Sequence, residues 1–160
     1  MKKNFIQDTI LSNNQIALFY LGQEGYLFKY RQTHILIDPY LSDYVDRNCC
    51  RDNVKWVRNY PAPIHAEELD FIDFILCTHT HYDHTDPDTL SVLAKVNPNA
   101  TFIVPAFACD LVSSYGIPKN KIIGAISDSP ITCKDCTVFP IPAAHEELHK
   151  DENGNYLYTV

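Results

Sequence analysis

The chain has 160 residues, 46% of them apolar and only five of them glycine, which suits one globular domain with a buried core and excludes a polar disordered tail. A formal net charge of −7 repels a phosphate backbone, and no local basic patch offsets it, so no nucleic-acid partner is expected. Asn4, Gln7, Asp8, Asn13 and Asn14 interrupt the stretch after Lys2 and Lys3, leaving neither a leader-type apolar run nor a membrane span; a soluble, cytoplasmic protein is expected.

Residues 16–20, 26–30 and 34–37 are short apolar or aromatic runs separated by Gly22, Gly25 and Arg31-Gln32-Thr33, the pattern of a three-stranded meander. Asp38-Pro39 ends the third run because proline donates nothing to a ladder. Residues 40–63 follow neither a helical nor a strand period and read as a long irregular surface excursion. Its Arg47, Arg51, Lys55, Trp56 and Arg58 suit either a lid over a site or the solvated face of a charged loop.

From residue 66 strands and helices alternate. A strand over 71–77 runs into a histidine cluster, and Asp86-Pro87 then supplies a helix N-cap with proline at the first helical position. Leu90, Leu93 and Ala94 recur at helical spacing until Asn97-Pro98. A strand at 101–104 precedes a helix that begins near Ala106 and is closed by Gly116. After Ile122-Ile123 a hairpin turns at Lys134-Asp135, its second strand running through Phe139 to Ile141. Residues 156–160 read as a strand inside which the sequence stops, so a single domain over 1–160, cut short, is expected.

Six cysteines without a secretion signal are expected as thiols. Cys133-Lys-Asp-Cys136 has no second pair to complete a zinc knuckle and reads as buried hairpin cysteines. The adjacent Cys49-Cys50 has no functional reading.

His79-Thr80-His81-Tyr82-Asp83-His84 carries the chemistry. In extended backbone, side chains two apart share a face, so His79 and His81 can address one ion, while Asp83 and His84 can face a second as the chain turns toward the helix capped at Asp86. Imidazole and carboxylate donors suit zinc, manganese or iron. The open alternatives are a solvated loop, a mononuclear site or a two-metal site. His145, also after a strand end, is either a surface histidine or a further ligand, and Asp38 reads as a turn-former before Pro39. His34, His65 and His149 read as ordinary surface or strand histidines.

The motif His79-x-His81-x-Asp83-His84, at a strand end before a helix, resembles the HxHxDH motif of the metallo-β-lactamase superfamily. The stretches 20–27, 35–43 and 142–146 are similar to its ascorbate-6-phosphate lactonase branch. The resemblance implies an α/β fold, an αβ/βα sandwich of which this chain supplies roughly the first half. It implies His79, His81 and His145 as ligands of a first divalent ion, Asp83 and His84 as ligands of a second, manganese or zinc in either place, and Asp38 as a support behind them. A bridging aspartate in a Gly-Asp turn and a late histidine, which the family also uses, have no counterpart in these residues.

The implied function is a hydrolase that opens a phosphorylated sugar lactone with a metal-held hydroxide, Asp83 orienting the water or carrying its proton. Arg47, Arg51, Lys55 and Arg58 would anchor the small anionic substrate. A phosphodiesterase or nuclease of the same superfamily and an inert fragment are the competing readings. An uncovered sheet face leads to the expectation of a homo-oligomer.

Overall fold

The computed structural model of the chain describes residues 1–144 and 147–158. A short helix, α1 (Lys3–Gln7), precedes the expected meander, in which β1 (Ala17–Gly22), β2 (Gly25–Tyr30) and β3 (Thr33–Ile37) pair antiparallel. From β3 onward the pairing is parallel, through β4 (Phe74–Leu76), β5 (Thr101–Pro105) and β6 (Ile122–Ala125), and the six strands lie in sequence order. Parallel neighbours need crossovers. The excursion provides the first; α3 (Pro87–Val96) and α4 (Cys109–Ser114) provide the next two.

Alternation along the strands sorts side chains onto two faces. Leu21, Leu27, Leu36, Ile75 and Phe102 pack on one face with Leu90 and Leu93 of α3, Val112 of α4 and Ile6 of α1. The buried Lys29 ammonium donates to the carbonyls of Ile6, Gln7 and Thr9 at 3.1, 2.6 and 2.9 Å, fastening the last turn of α1 to the sheet. On the other face Phe74, Ile103 and Ala125 are covered by the hairpin of β7 (Ile131–Cys133) and β8 (Cys136–Val138). The hairpin leaves Leu18 and Tyr20 of β1 half exposed. Among the described residues no helix is long and apolar enough to cross a membrane.

The helix signals act as read. The Asp86 side chain accepts from the Asp88 N–H, Pro87 opens α3, and Asn97 ends it, its amide bonding Ile72 N–H and Leu69 carbonyl at 2.8 and 2.7 Å. Gly116 follows α4 with φ +88°, the left-handed position a side chain would strain. All six cysteines are free thiols, Cys133 fully buried and Cys136 partly so.

Four boundaries differ from expectation. The excursion contains a helix, α2 (Tyr44–Asn48), held by hydrogen bonds from Arg47 N–H to Asp43 and Cys49 N–H to Val45. The strand expected over 71–77 is only β4; before it the Ile72 N–H is taken by the Asn97 side chain, and the Asp73 carboxylate accepts from the His34 N–H. The second hairpin strand stops at Val138; Pro140 interrupts the ladder, and Phe139 and Ile141 stand exposed. Tyr156 makes an isolated bridge with Lys150, and residues 159 and 160 of the expected last strand lie outside the described residues.

His34 is buried in β3, edge-on to Phe71 at 5.0 Å and 3.9 Å from the Asp73 carboxylate. Burial, and then the Lys29 charge, hold its pKa below the ordinary 6.5. The unfolded chain therefore takes up this proton first: the contribution is whole above about pH 6.5 and is lost as pH falls through the folded value. Denaturant unfolding should show stability declining toward acid more steeply for the wild type than for His34→Gln, by up to about 1.4 kcal/mol per pH unit. Parallel pH profiles would refute this.

Candidate metal centre

The parallel register of Ile37 with Leu76 brings two strand ends together, Asp38 following β3 and Thr78-His79 following β4. Asp38 has φ +45°, a left-handed conformation that aspartate tolerates, and its N–H donates to the Leu76 carbonyl at 2.9 Å. The buried carboxylate accepts from the Thr78 N–H at 2.8 Å, the Thr78 hydroxyl at 2.7 Å and His84 Nδ1–H at 2.8 Å. Gly25 lets the β1–β2 turn close over it: a Cβ there would stand 3.2 Å from the Asp38 carbonyl oxygen and 3.1 Å from that of Gly22.

Between β4 and α3 the motif forms a tight loop. His84 and Thr85 donate backbone N–H groups to the His81 carbonyl at 3.0 and 2.7 Å, and the Thr85 hydroxyl donates to the His79 carbonyl. The His79 ring centroid consequently lies 3.9 Å from that of His84 and 4.6 Å from that of His81, and the Asp83 carboxylate lies 4.0 Å from His84 Nε2. Burial, reinforced by His84 and His81, pushes the His79 pKa down to about 4. For His84 burial acts in the same downward sense, but the Asp38 hydrogen bond and the charges of Asp38, Asp83 and Glu24 prevail and raise it.

This donor set suits a divalent transition ion. Burial holds His79 neutral at physiological pH, and His84, its Nδ1 committed to Asp38, presents Nε2, the carboxylate–imidazole arrangement that orients metal ligands. Among the described residues no three His, Cys, Asp or Glu side chains close around one point. His145, the further imidazole expected, and Glu146 lie outside the described residues, although Ala143 and Ala144 just before them line the same cavity as His79 and His84.

Two cavities flank the loop. One of about 340 Å³ is bounded by Glu24, Tyr26, Asp38, His79, His84 and Tyr158. The other, about 720 Å³, has His81 and Asp83 on one side and Val45, Cys49, Trp56 and Leu111 on the other. The excursion is thus a wall of the site, and the Tyr44 ring of α2 meets Tyr82 of the motif at 4.9 Å. Glu24 and Tyr26 were not singled out from sequence; the available signal was the tight turn between Gly22 and Gly25, whose pairing with β3 sets its tip beside Asp38.

The four cations of the excursion line neither cavity. Arg47 is paired with Asp43 at 2.6 Å and with Asp88; Arg58 donates to the Tyr40 carbonyl at 2.6 Å and lies 4.8 Å over the Tyr40 ring. Arg51 sits in an isolated bridge with Val54, and both Arg51 and Lys55 are exposed.

Residues 33–157, which hold β3 to β8 and the whole histidine loop, match the β-lactamase superfamily domain. The chain belongs to the β-lactamase superfamily. Among curated relatives, this superfamily chain is 27% identical over 144 residues to a metal-dependent hydrolase of Aeropyrum pernix, covering 82% of the chain and 52% of the relative. It is 26% identical over 149 residues to an N-acyl-phosphatidylethanolamine-hydrolyzing phospholipase D of Caenorhabditis elegans, covering 89% and 41%. A probable L-ascorbate-6-phosphate lactonase of Salmonella heidelberg is 28% identical over 88 residues, covering 54% and 25%. Among solved structures, a metallo hydrolase of Ignicoccus hospitalis shares the fold with TM-score 0.53 and 21% identity, covering 89% of this superfamily chain and 52% of that one. The chain spans about a quarter to a half of the length of the curated relatives it matches.

Proposed function

We propose that this chain carries the metal-binding part of a divalent-metal hydrolase that cleaves a lactone or carboxylic ester, with manganese or zinc as its ions. One observation carries the reading: the His79 imidazole lies against those of His81 and His84 beyond the carboxyl ends of β3 and β4, where ligands of open α/β sheets bind, and Asp38 orients His84 from behind. His79, His81, Asp83 and His84, joined by His145, would hold the ions. Bound there, an ion supplies Lewis acidity that lowers the pKa of a water and neutralises charge growing on the substrate oxygen. Asp83, part exposed in the larger cavity, accepts a proton from the attacking water and returns it to the leaving alkoxide. Burial keeps His79 neutral, and Asp38 fixes the His84 tautomer.

Similarity to the Salmonella lactonase supports the lactone bond; similarity to the nematode phospholipase supports a phosphodiester, which the same donors would serve. A phosphate anchor has less support, because Arg47 and Arg58 are engaged within the chain. After chelation and re-addition of Mn²⁺ or Zn²⁺, about one to two ions per chain are expected by elemental analysis. His79→Ala and His81→Ala should each lower metal affinity by at least about tenfold and abolish lactone opening. Metal uptake without turnover of lactones, esters or phosphodiesters would remove the hydrolase reading, and no uptake of either ion would remove the metal centre.

A further inference from the structure

We infer that the larger cavity beside the motif is a binding site for an uncharged apolar group of the substrate, an alkyl or aryl chain, and that Trp56 and Leu111 set the preference for it. The inference rests on the hydrolase reading only for which end of such a molecule faces the histidines. The cavity is continuous with the site, since His81 and Asp83 form one of its walls. Its other lining brings Val45 of α2, Cys49 just after it, Trp56 of the excursion and Leu111 of α4 together, none of them an acidic or basic residue type. At about 720 Å³ it has the size of a small-molecule pocket.

No lysine or arginine lines this space to hold a phosphate: Arg47 and Arg58 pair elsewhere, and Arg51 and Lys55 stand outside it. An apolar group needs no such partner. Trp56 and Leu111 are 59% and 38% exposed, and their rims lose water when an alkyl chain enters. Each methylene that is fully buried tightens binding about fourfold.

Trp56 is the single tryptophan of the chain, so its emission reports occupancy without any need for turnover. Titration of the purified protein with hexanol, octanol and decanol, which are neutral and unreactive, should give a saturable blue shift. The Kd should fall up to about fifteenfold for each two methylenes until the cavity is filled. Inorganic phosphate and glucose 6-phosphate should give no shift. Leu111→Asp, a substitution at a part-exposed position, should keep the folded far-ultraviolet spectrum and weaken decanol at least tenfold while leaving the reporter in place.

A shift produced by the phosphates, a Kd independent of chain length, or an unchanged Kd in Leu111→Asp would each overturn the inference. The two readings fail separately. Alcohol binding without hydrolysis of lactones, esters or phosphodiesters sinks the hydrolase and keeps the cavity assignment; hydrolysis without chain-length dependence of binding does the reverse.

Discussion

Replacing Asp38 by alanine is expected to lower divalent-metal affinity about 10- to 100-fold and to destabilise the fold by about 3 kcal/mol. Its buried carboxylate is the acceptor for the Thr78 N–H, the Thr78 hydroxyl and His84 Nδ1–H. Alanine leaves these donors unmatched where water does not replace the carboxylate, and each unmatched group costs about 1–3 kcal/mol. It also removes the hydrogen bond that keeps the proton on Nδ1 and the lone pair on Nε2 of His84. Asp38→Asn separates the two effects. Asparagine accepts the left-handed backbone and can still take the Thr78 N–H, but its amide donates toward Nδ1 and favours the tautomer with Nε2 protonated. The asparagine variant should therefore recover most of the stability, seen in denaturant unfolding, and little of the metal affinity, seen by titration calorimetry. Wild-type affinity in Asp38→Asn would show that Asp38 is only a brace.

Local chemistry made much of this legible in the sequence. The meander, α3 with its Asp86 cap and the Gly116 stop are set by side chains within a few residues of the elements they shape. The clustering of His79, His81 and His84 follows from a motif that folds against its own backbone carbonyls. What was not legible depends on partners distant in sequence. The Ile72 N–H before β4 is taken by Asn97, twenty-five residues beyond it. Glu24 reaches the site because β2 pairs with β3, and the role of the excursion as a wall depends on Tyr44 meeting Tyr82 and Trp56 facing the motif. Charge clustering in the excursion does not reveal that Arg47 pairs with Asp43 and Asp88 or that Arg58 lies over the Tyr40 ring and donates to its carbonyl. One-dimensional spacing says where cations are, and only packing says what already neutralises them.

The second large effect should come from Asp86, which joins the excursion to α3 in one buried contact set. Its carboxylate accepts from the Asp88 N–H at 3.1 Å, the Ser42 N–H at 3.3 Å and the Thr89 hydroxyl, while the Thr89 oxygen accepts from the Leu41 N–H at 3.0 Å. Asp86→Ala loses an N-cap worth about 1 kcal/mol and strands the Ser42 and Thr89 donors at about 1 kcal/mol or more each. The expected loss is about 3 kcal/mol in denaturant unfolding. Burial raises the Asp86 pKa against the opposing pull of Thr89 and Ser42; Asp86→Asn keeps an acceptor for the Asp88 N–H but turns a donating amide toward the Ser42 N–H, so it should cost about 1–2 kcal/mol, less than alanine. Because Ser42 leads directly into α2, the alanine variant should also loosen the wall that carries Val45 and Cys49 and weaken decanol binding. Metal affinity should change far less than in Asp38→Ala, since Asp86 touches none of the donor imidazoles through its side-chain hydrogen bonds. An Asp86→Ala protein within about 0.5 kcal/mol of wild type would mean that the excursion is held by its aromatic contacts alone, and a metal affinity as low as that of Asp38→Ala would mean that cap and donor cluster are one cooperative unit.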